Sequence, residues 1–248
     1  MTSARVALIT GGTSGIGKTA ALLLQQRGYQ VVVTGQNPES IAAASQELPE
    51  QVVVLRADAR SVADTDRVAA EIQQRFGRLD VLFLNAGIVR GQPVEVFDEA
   101  TFDDLVDVNF KGQFFTLQKV LPLLSDGGSV IFTVGIGATR GVRGGSVSAA
   151  TKGALLCMVP SLALELAPRR IRVNAISPGS IDTGIWAKSG LPPEALAEAT
   201  AAIAARIPFG RFGTSLEIAE AVAFLASDAA SYITGQNLAV AGGAGLGA

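Results

Sequence analysis

Short aliphatic and β-branched runs alternate along the chain with longer stretches whose apolar positions recur every three or four residues. Val6 to Ile9 has the character of a buried parallel strand, and the Ala- and Leu-rich stretch Lys18 to Gln26 predicts a helix. Val-rich Gln30 to Thr34 predicts a second strand, followed by a helix over Pro38 to Leu48 with Asn37 as its cap. Further strands are expected at Val52 to Arg56, Val81 to Leu84, Ser129 to Val134, Ile171 to Ile176 and Asn237 to Val240. Ser61 to Phe76 sets Val62, Val68, Ala69, Ile72 and Phe76 at helical spacing. Glu99 to Leu124 predicts one long helix, and Val147 to Leu166 and Ser215 to Leu225 two more. Such alternation implies an α/β fold: right-handed βαβ crossovers and a doubly wound parallel sheet with helices on both faces. Gly184 to Ile207 has no place in the sheet and reads as a flap on the substrate side, where Trp186, Leu191 and Leu196 suit an apolar small-molecule substrate.

The first predicted strand runs into Thr10-Gly11-Gly12-Thr13-Ser14-Gly15-Ile16-Gly17 and then directly into a helix. A glycine-rich strand-to-helix turn leaves unpaired backbone N–H groups at a helix start, where the dipole favours anions. Glycines also let a diphosphate approach the backbone closely, so the turn predicts a dinucleotide site. Its spacing is Gly-x-x-x-Gly-x-Gly, not the commoner Gly-x-Gly-x-x-Gly.

Composition narrows the chemistry. The 248 residues, 48% of them hydrophobic, suit one domain over 1–248, with no repeat or linker. A net charge of −2 offers no basic field for nucleic acid. Cys157 is the only cysteine, so no intramolecular disulfide can form. With no leader pattern and no apolar run of about 18 residues, no membrane partner is expected and a soluble cytoplasmic protein is. There is no histidine, which removes the usual acid–base side chain near neutrality and makes a metal site improbable. Tyrosine occurs only at Tyr29 and Tyr232.

At this point the chain resembles the short-chain dehydrogenase/reductase family over essentially its full length. The resemblance rests on Thr10 to Gly17, Asp58, Asn85-Ala86-Gly87, Asn109 in Val-Asn-Phe-Lys-Gly, and Lys152. It continues through Arg172 to Gly179, Pro208 to Gly213 and Ile233 to Gln236. It implies a Rossmann-type sheet of about seven parallel strands and a nicotinamide dinucleotide. It also implies a homotetramer (or homodimer) paired through the helices at 99–124 and 147–166. Gly11, Thr13, Ser14, Gly15, Ile16 and Gly17 would meet the diphosphate and adenosine ribose, and Asp58, beside Ala59, the adenine amino group. Asn85, Ala86 and Gly87 would line the ribose side, where Lys152 would hold hydroxyls. After Pro178 and Gly179, Ile181 and Thr183 would hold the carboxamide and phosphate. At the end of the second strand a carboxylate would repel a 2′-phosphate; Gly35 and Gln36 stand there instead, which leans toward NADP(H).

The pattern breaks at the reacting groups. The family carries Tyr-x-x-x-Lys on a helix, with a serine about thirteen residues earlier. Lys152 and Asn109 are retained, but Ser148 takes the tyrosine position and Gly135 the serine position. Carbonyl reduction needs a proton for the developing alkoxide. A serine hydroxyl is a far weaker acid than a phenol and too short to reach the same point, and glycine has no hydroxyl for the oxyanion. Ordinary ketone reduction is therefore expected to be impaired. Three readings stay open: a carbonyl or alcohol oxidoreductase using Asn109, Lys152 and water; an enzyme acting on a preformed iminium; and a non-catalytic dinucleotide-binding protein, a sensor or partner of an active homologue. Pro160 lies inside a predicted helix, where proline costs about 3 kcal/mol unless the helix bends. Ala241 stands where the family commonly has aspartate. Arg140 and Arg143, between Gly135 and Ser148, are either solvated or poised for an anion.

Overall fold

The computed structural model describes residues 4–184 and 192–246. Its main sheet is built from the apolar runs: β1 (Val6–Thr10), β2 (Gln30–Gly35), β3 (Val53–Arg56), β4 (Leu79–Leu84), β5 (Leu124–Thr133), β6 (Arg172–Pro178) and β9 (Asn237–Val240). They lie in the order β3-β2-β1-β4-β5-β6-β9, and every neighbouring pair is parallel. Because side chains alternate across a strand, each strand feeds two cores. Leu8, Val32, Leu82 and Phe132 face one side, with α3 (Val62–Phe76), α5 (Gly112–Val120) and α6 (Ser146–Leu166). Ala7, Ile9, Val33 and Phe83 face the other, with α1 (Gly15–Gln26), α2 (Pro38–Glu47) and α8 (Ser215–Ala226). The sheet is thus the doubly wound Rossmann-type structure that the pattern implies.

The helix ends follow local chemistry. Asn37 Oδ1 accepts from Ser40 N at 2.9 Å at the start of α2. Ser61 caps α3, which ends on Gly77 at φ +68°. Thr214 and Glu217 form a reciprocal capping box on α8.

The expected single helix over Glu99 to Leu124 is corrected. Asp98 caps α4 (Glu99–Val106), a π-turn follows over Asp107–Lys111, and α5 ends in a 3-10 turn at Leu121–Leu123. Pro122 lacks the donor a further turn would need, and β5 begins at Leu124, five residues before the expected start. Apolar periodicity survives a π-turn, so the pattern alone does not report it.

Pro160 is accommodated within a continuous α6. By length and hydropathy α6 and its 3-10 extension could cross a bilayer (mean hydropathy 1.5), but Leu155, Val159, Leu162 and Leu166 pack into the core. The predicted flap has an ordered base: β7 (Ile181–Asp182) pairs with β8 (Gly213–Thr214), and α7 (Pro193–Ala204) lies between them in sequence. Leu196 is on α7, whereas Trp186 and Leu191 lie outside the described residues.

Candidate cofactor and active site

The carboxyl ends of β1, β2, β4, β5 and β6 open into one cavity of about 1120 Å³. It collects every predicted site residue except Gly17, which lies behind the glycine turn. A Cβ on Gly17 would sit 2.3 Å from the Gly11 carbonyl oxygen and 2.8 Å from Asn85 Nδ2, so only glycine fits. Gly11 and Gly15 adopt φ of +64° and +51°, the left-handed region open to glycine. A Cβ on Gly15 would approach Thr183 Cβ to 3.5 Å, so the residue after β7 lies against the turn.

Hydrogen bonds lock the turn to the end of β4. Thr10 Oγ1 accepts from the backbone N–H groups of Asn85 and Ala86, each at 3.0 Å. Asn85 Nδ2 donates to the carbonyls of Thr10 and Gly11 at 3.2 Å, and Thr133 Oγ1 donates to Asn85 Oδ1 at 3.2 Å. Asn85 is therefore a cross-brace between three strand ends. The supporting roles of Thr10 and Thr133 are absent from the sequence reading, because pairing across β1, β4 and β5 is non-local.

At the far end, Gly35 allows close contact between β2 and the turn: a Cβ there would lie 2.5 Å from Thr13 Oγ1. Thr13 and Ser40 hydroxyls are 3.1 Å apart. Gln36 Nε2 donates to Asp58 Oδ2 at 2.8 Å. Arg60 grips the same carboxylate through Nε and Nη2 and reaches Asp104 through Nη1. The Arg60 guanidinium holds Asp58 below the usual carboxylate range. Gln113, buried at the start of α5, donates to the Ala86 carbonyl, while its Oε1 has no protein partner. An orphaned buried acceptor lining this cavity suits a ligand with polar hydrogens, and the glycine cradle suits a diphosphate. The residues present thus fit a dinucleotide. Gln113 carried no motif that could have marked it in the sequence.

At the opposite end, Lys152 Nζ donates to the Thr133 carbonyl at 2.9 Å. Burial lowers its ammonium from the ordinary 10.5 to about 8. A Cβ on Gly87 would lie 3.1 Å from Lys152 Nζ and 3.2 Å from Asn109 Oδ1, which places all three together. Asn109 is fully buried in the π-turn. Its Oδ1 accepts from Ile88 N at 2.8 Å, and its Nδ2 donates to the Ile88 carbonyl at 2.9 Å and to Thr151 Oγ1 at 3.3 Å. Ser148, one turn before Lys152, donates from Oγ to the Arg90 carbonyl at 2.9 Å and accepts from Arg90 N at 3.4 Å. Its hydroxyl therefore holds the connection after β4. Gly135 has φ +103° at the end of β5, where a Cβ would meet only the Pro178 carbonyl oxygen at 3.8 Å.

The sequence profile described as "Enoyl-(Acyl carrier protein) reductase" matches residues 11–245. The chain is 38% identical over 249 residues to 3-oxoacyl-(acyl-carrier-protein) reductase FabG of Thermotoga maritima, covering 96% of this chain and 97% of the relative. It is 36% identical over 249 residues to levodione reductase of Leifsonia aquatica, covering 96% and 93%. A crystal structure of levodione reductase superposes with TM-score 0.89 at 34% identity, covering 96% of each chain. Ligand-free aldohexose dehydrogenase of Thermoplasma acidophilum does so with TM-score 0.90 at 27% identity, covering 99% of this chain and 95% of that one. From the glycine turn to the C-terminal strand, then, this chain belongs to the short-chain dehydrogenase/reductase family of oxidoreductases.

Proposed function

We propose that the chain binds NADP(H) in this cavity and serves hydride transfer on a carbonyl, alcohol or imine substrate, with ordinary ketone reduction impaired. The observation that carries the reading is the joining, in one cavity, of the glycine turn, the Asn85-Ala86-Gly87 strand end and Lys152. When bound, the coenzyme supplies or accepts the hydride. The glycine turn would take the diphosphate on its free N–H groups, and Thr183 beside Gly15 would close over it. Thr13, Gly35, Gln36 and Ser40 form an uncharged pocket at the end of β2, where among the described residues the cavity lining carries no carboxylate apart from the already paired Asp58. Asn109 would act by holding Ile88 in place.

Proton delivery falls to Lys152. Its lowered affinity for the proton makes it a better acid than an exposed lysine. Ser148 and Gly135, read as the positions of the missing tyrosine and serine, supply no acid: one hydroxyl is committed to Arg90 and the other side chain is absent. That same commitment favours the second reading, a dinucleotide-binding protein without turnover. We further infer a homotetramer in the cytoplasm. Phe102 on α4, Phe114 on α5 and Leu164 on α6 leave apolar surface uncovered in one subunit, at 47%, 36% and 78% exposure.

The test is coenzyme titration by fluorescence, followed by NADPH consumption on ketones, imines and quinones. NADPH is expected to bind more tightly than NADH, and native turnover to vanish in Lys152→Ala. Uptake without turnover on any class would favour the second reading; no uptake of either coenzyme would end both.

A further inference from the structure

The substrate end of the cavity is cationic without compensation. Arg90, Arg140 and Arg143 line it together with Lys152, and among the described residues the only acidic group in the whole lining is Asp58, at the adenosine end. Asp58 is itself neutralised by Arg60. Elsewhere Arg60, Arg75, Arg78, Arg169 and Arg211 each have a carboxylate within salt-bridge distance. The three rim arginines have none among the described residues; Arg90 Nη1 turns back on the Val89 carbonyl at 3.2 Å.

The backbone holds these cations on one rim. Ser148 bonds both backbone groups of Arg90, and Gln92 N donates to the Gly144 carbonyl at 3.0 Å. The connection carrying Arg90 is thereby stapled to the one carrying Arg143. Arg140 is laid over the C-terminal segment, where a Cβ on Gly245 would fall 2.0 Å from Arg140 Nε. Guanidinium groups without a carboxylate partner are suited to bidentate binding of carboxylate or phosphate. The apolar side chains that line the cavity beside the rim and Lys152 are Ile88, Val89, Ile136, Ala138 and Val142, with Ser148 the polar exception.

We propose that this end of the cavity takes an amphiphilic anion, with a carboxylate or phosphate head on Arg90, Arg140 and Arg143 and an apolar body directed toward Lys152. As a statement about substrate it rests on the hydride-transfer reading; as a statement about binding it is tested without turnover.

Calorimetric titration with hexanoate, hexyl phosphate and the neutral hexanamide, each with and without NADPH, reads the preference directly. Either anion is expected to bind at least tenfold more tightly than hexanamide, and the better of the two identifies the head group. The advantage should fall to within threefold in Arg140→Gln/Arg143→Gln, survive in Arg143→Lys and be unchanged in Arg170→Gln, an exposed site far from the cavity. Equal binding of hexanamide, or the same loss in Arg170→Gln, overturns the proposal. A preserved anion preference in a protein that takes up no NADPH would sink the hydride-transfer reading and leave this one standing.

Discussion

Replacing Lys152 by methionine should stabilise the coenzyme-free protein while abolishing whatever turnover it has. The ammonium is held by burial at a pKa of about 8 in the folded chain, against 10.5 when exposed. The sign follows from linkage. Below pH 8 both folded and unfolded chains carry the proton, and the folded state bears the full cost of a desolvated cation. Above 10.5 neither carries it and the cost is gone. Taking 1.36 kcal/mol per pH unit, the cost at pH 7 is about 3 kcal/mol, falling to about 2 at pH 9 and about 1 at pH 10. Methionine keeps the apolar stem and removes the charge. Urea unfolding at pH 7 should therefore show Lys152→Met more stable by up to about 3 kcal/mol, the lost bond to the Thr133 carbonyl reducing that figure by about 1. At pH 10 the two proteins should be nearly equal. A variant less stable than the native chain at pH 7, or a difference that does not shrink between pH 7 and pH 10, would refute the claim that burial strains this lysine.

Three further outcomes are expected. Asn109→Ala should lower stability by about 3 kcal/mol, because Ile88 N–H and C=O lose their partners inside the protein; thermal melting checks this, and coenzyme affinity should fall in parallel. Gly135→Ser should cost about 1–3 kcal/mol because φ there is +103°, so a side chain at this position requires the connection after β5 to rebuild; a destabilisation below about 0.5 kcal/mol in urea unfolding would contradict the strained geometry. If Lys152 is the proton donor, native reduction rates measured from pH 6 to 10 should fall as pH rises through about 8, and a rate flat across that range would exclude it.

The alternation of apolar runs and amphipathic stretches was enough to lay out the parallel sheet, since a strand buried on both faces is mostly apolar, with polar residues such as Asp80, Arg172 and Asn174 kept where they find hydrogen-bond partners, and a covering helix must show one apolar stripe. The glycine turn was equally legible, because Gly11 and Gly15 need positive φ and Gly17 has no room for a Cβ. So was Lys152, placed by the resemblance and found in the cavity. What could not be read were features created by contacts between distant segments. The π-turn keeps an apolar rhythm indistinguishable from a continuous helix, yet it buries Asn109 against Ile88. Thr10, Thr133 and Gln113 matter because three strand ends and α5 meet there, and no local pattern encodes that meeting. Ser148 looked like a simple loss in one dimension; in three it ties Arg90 to α6, and with it sets which charges face the reacting end. Local propensity acts over a few residues, whereas hydrogen bonds across 21 to 75 positions exist only once the chain has folded back on itself.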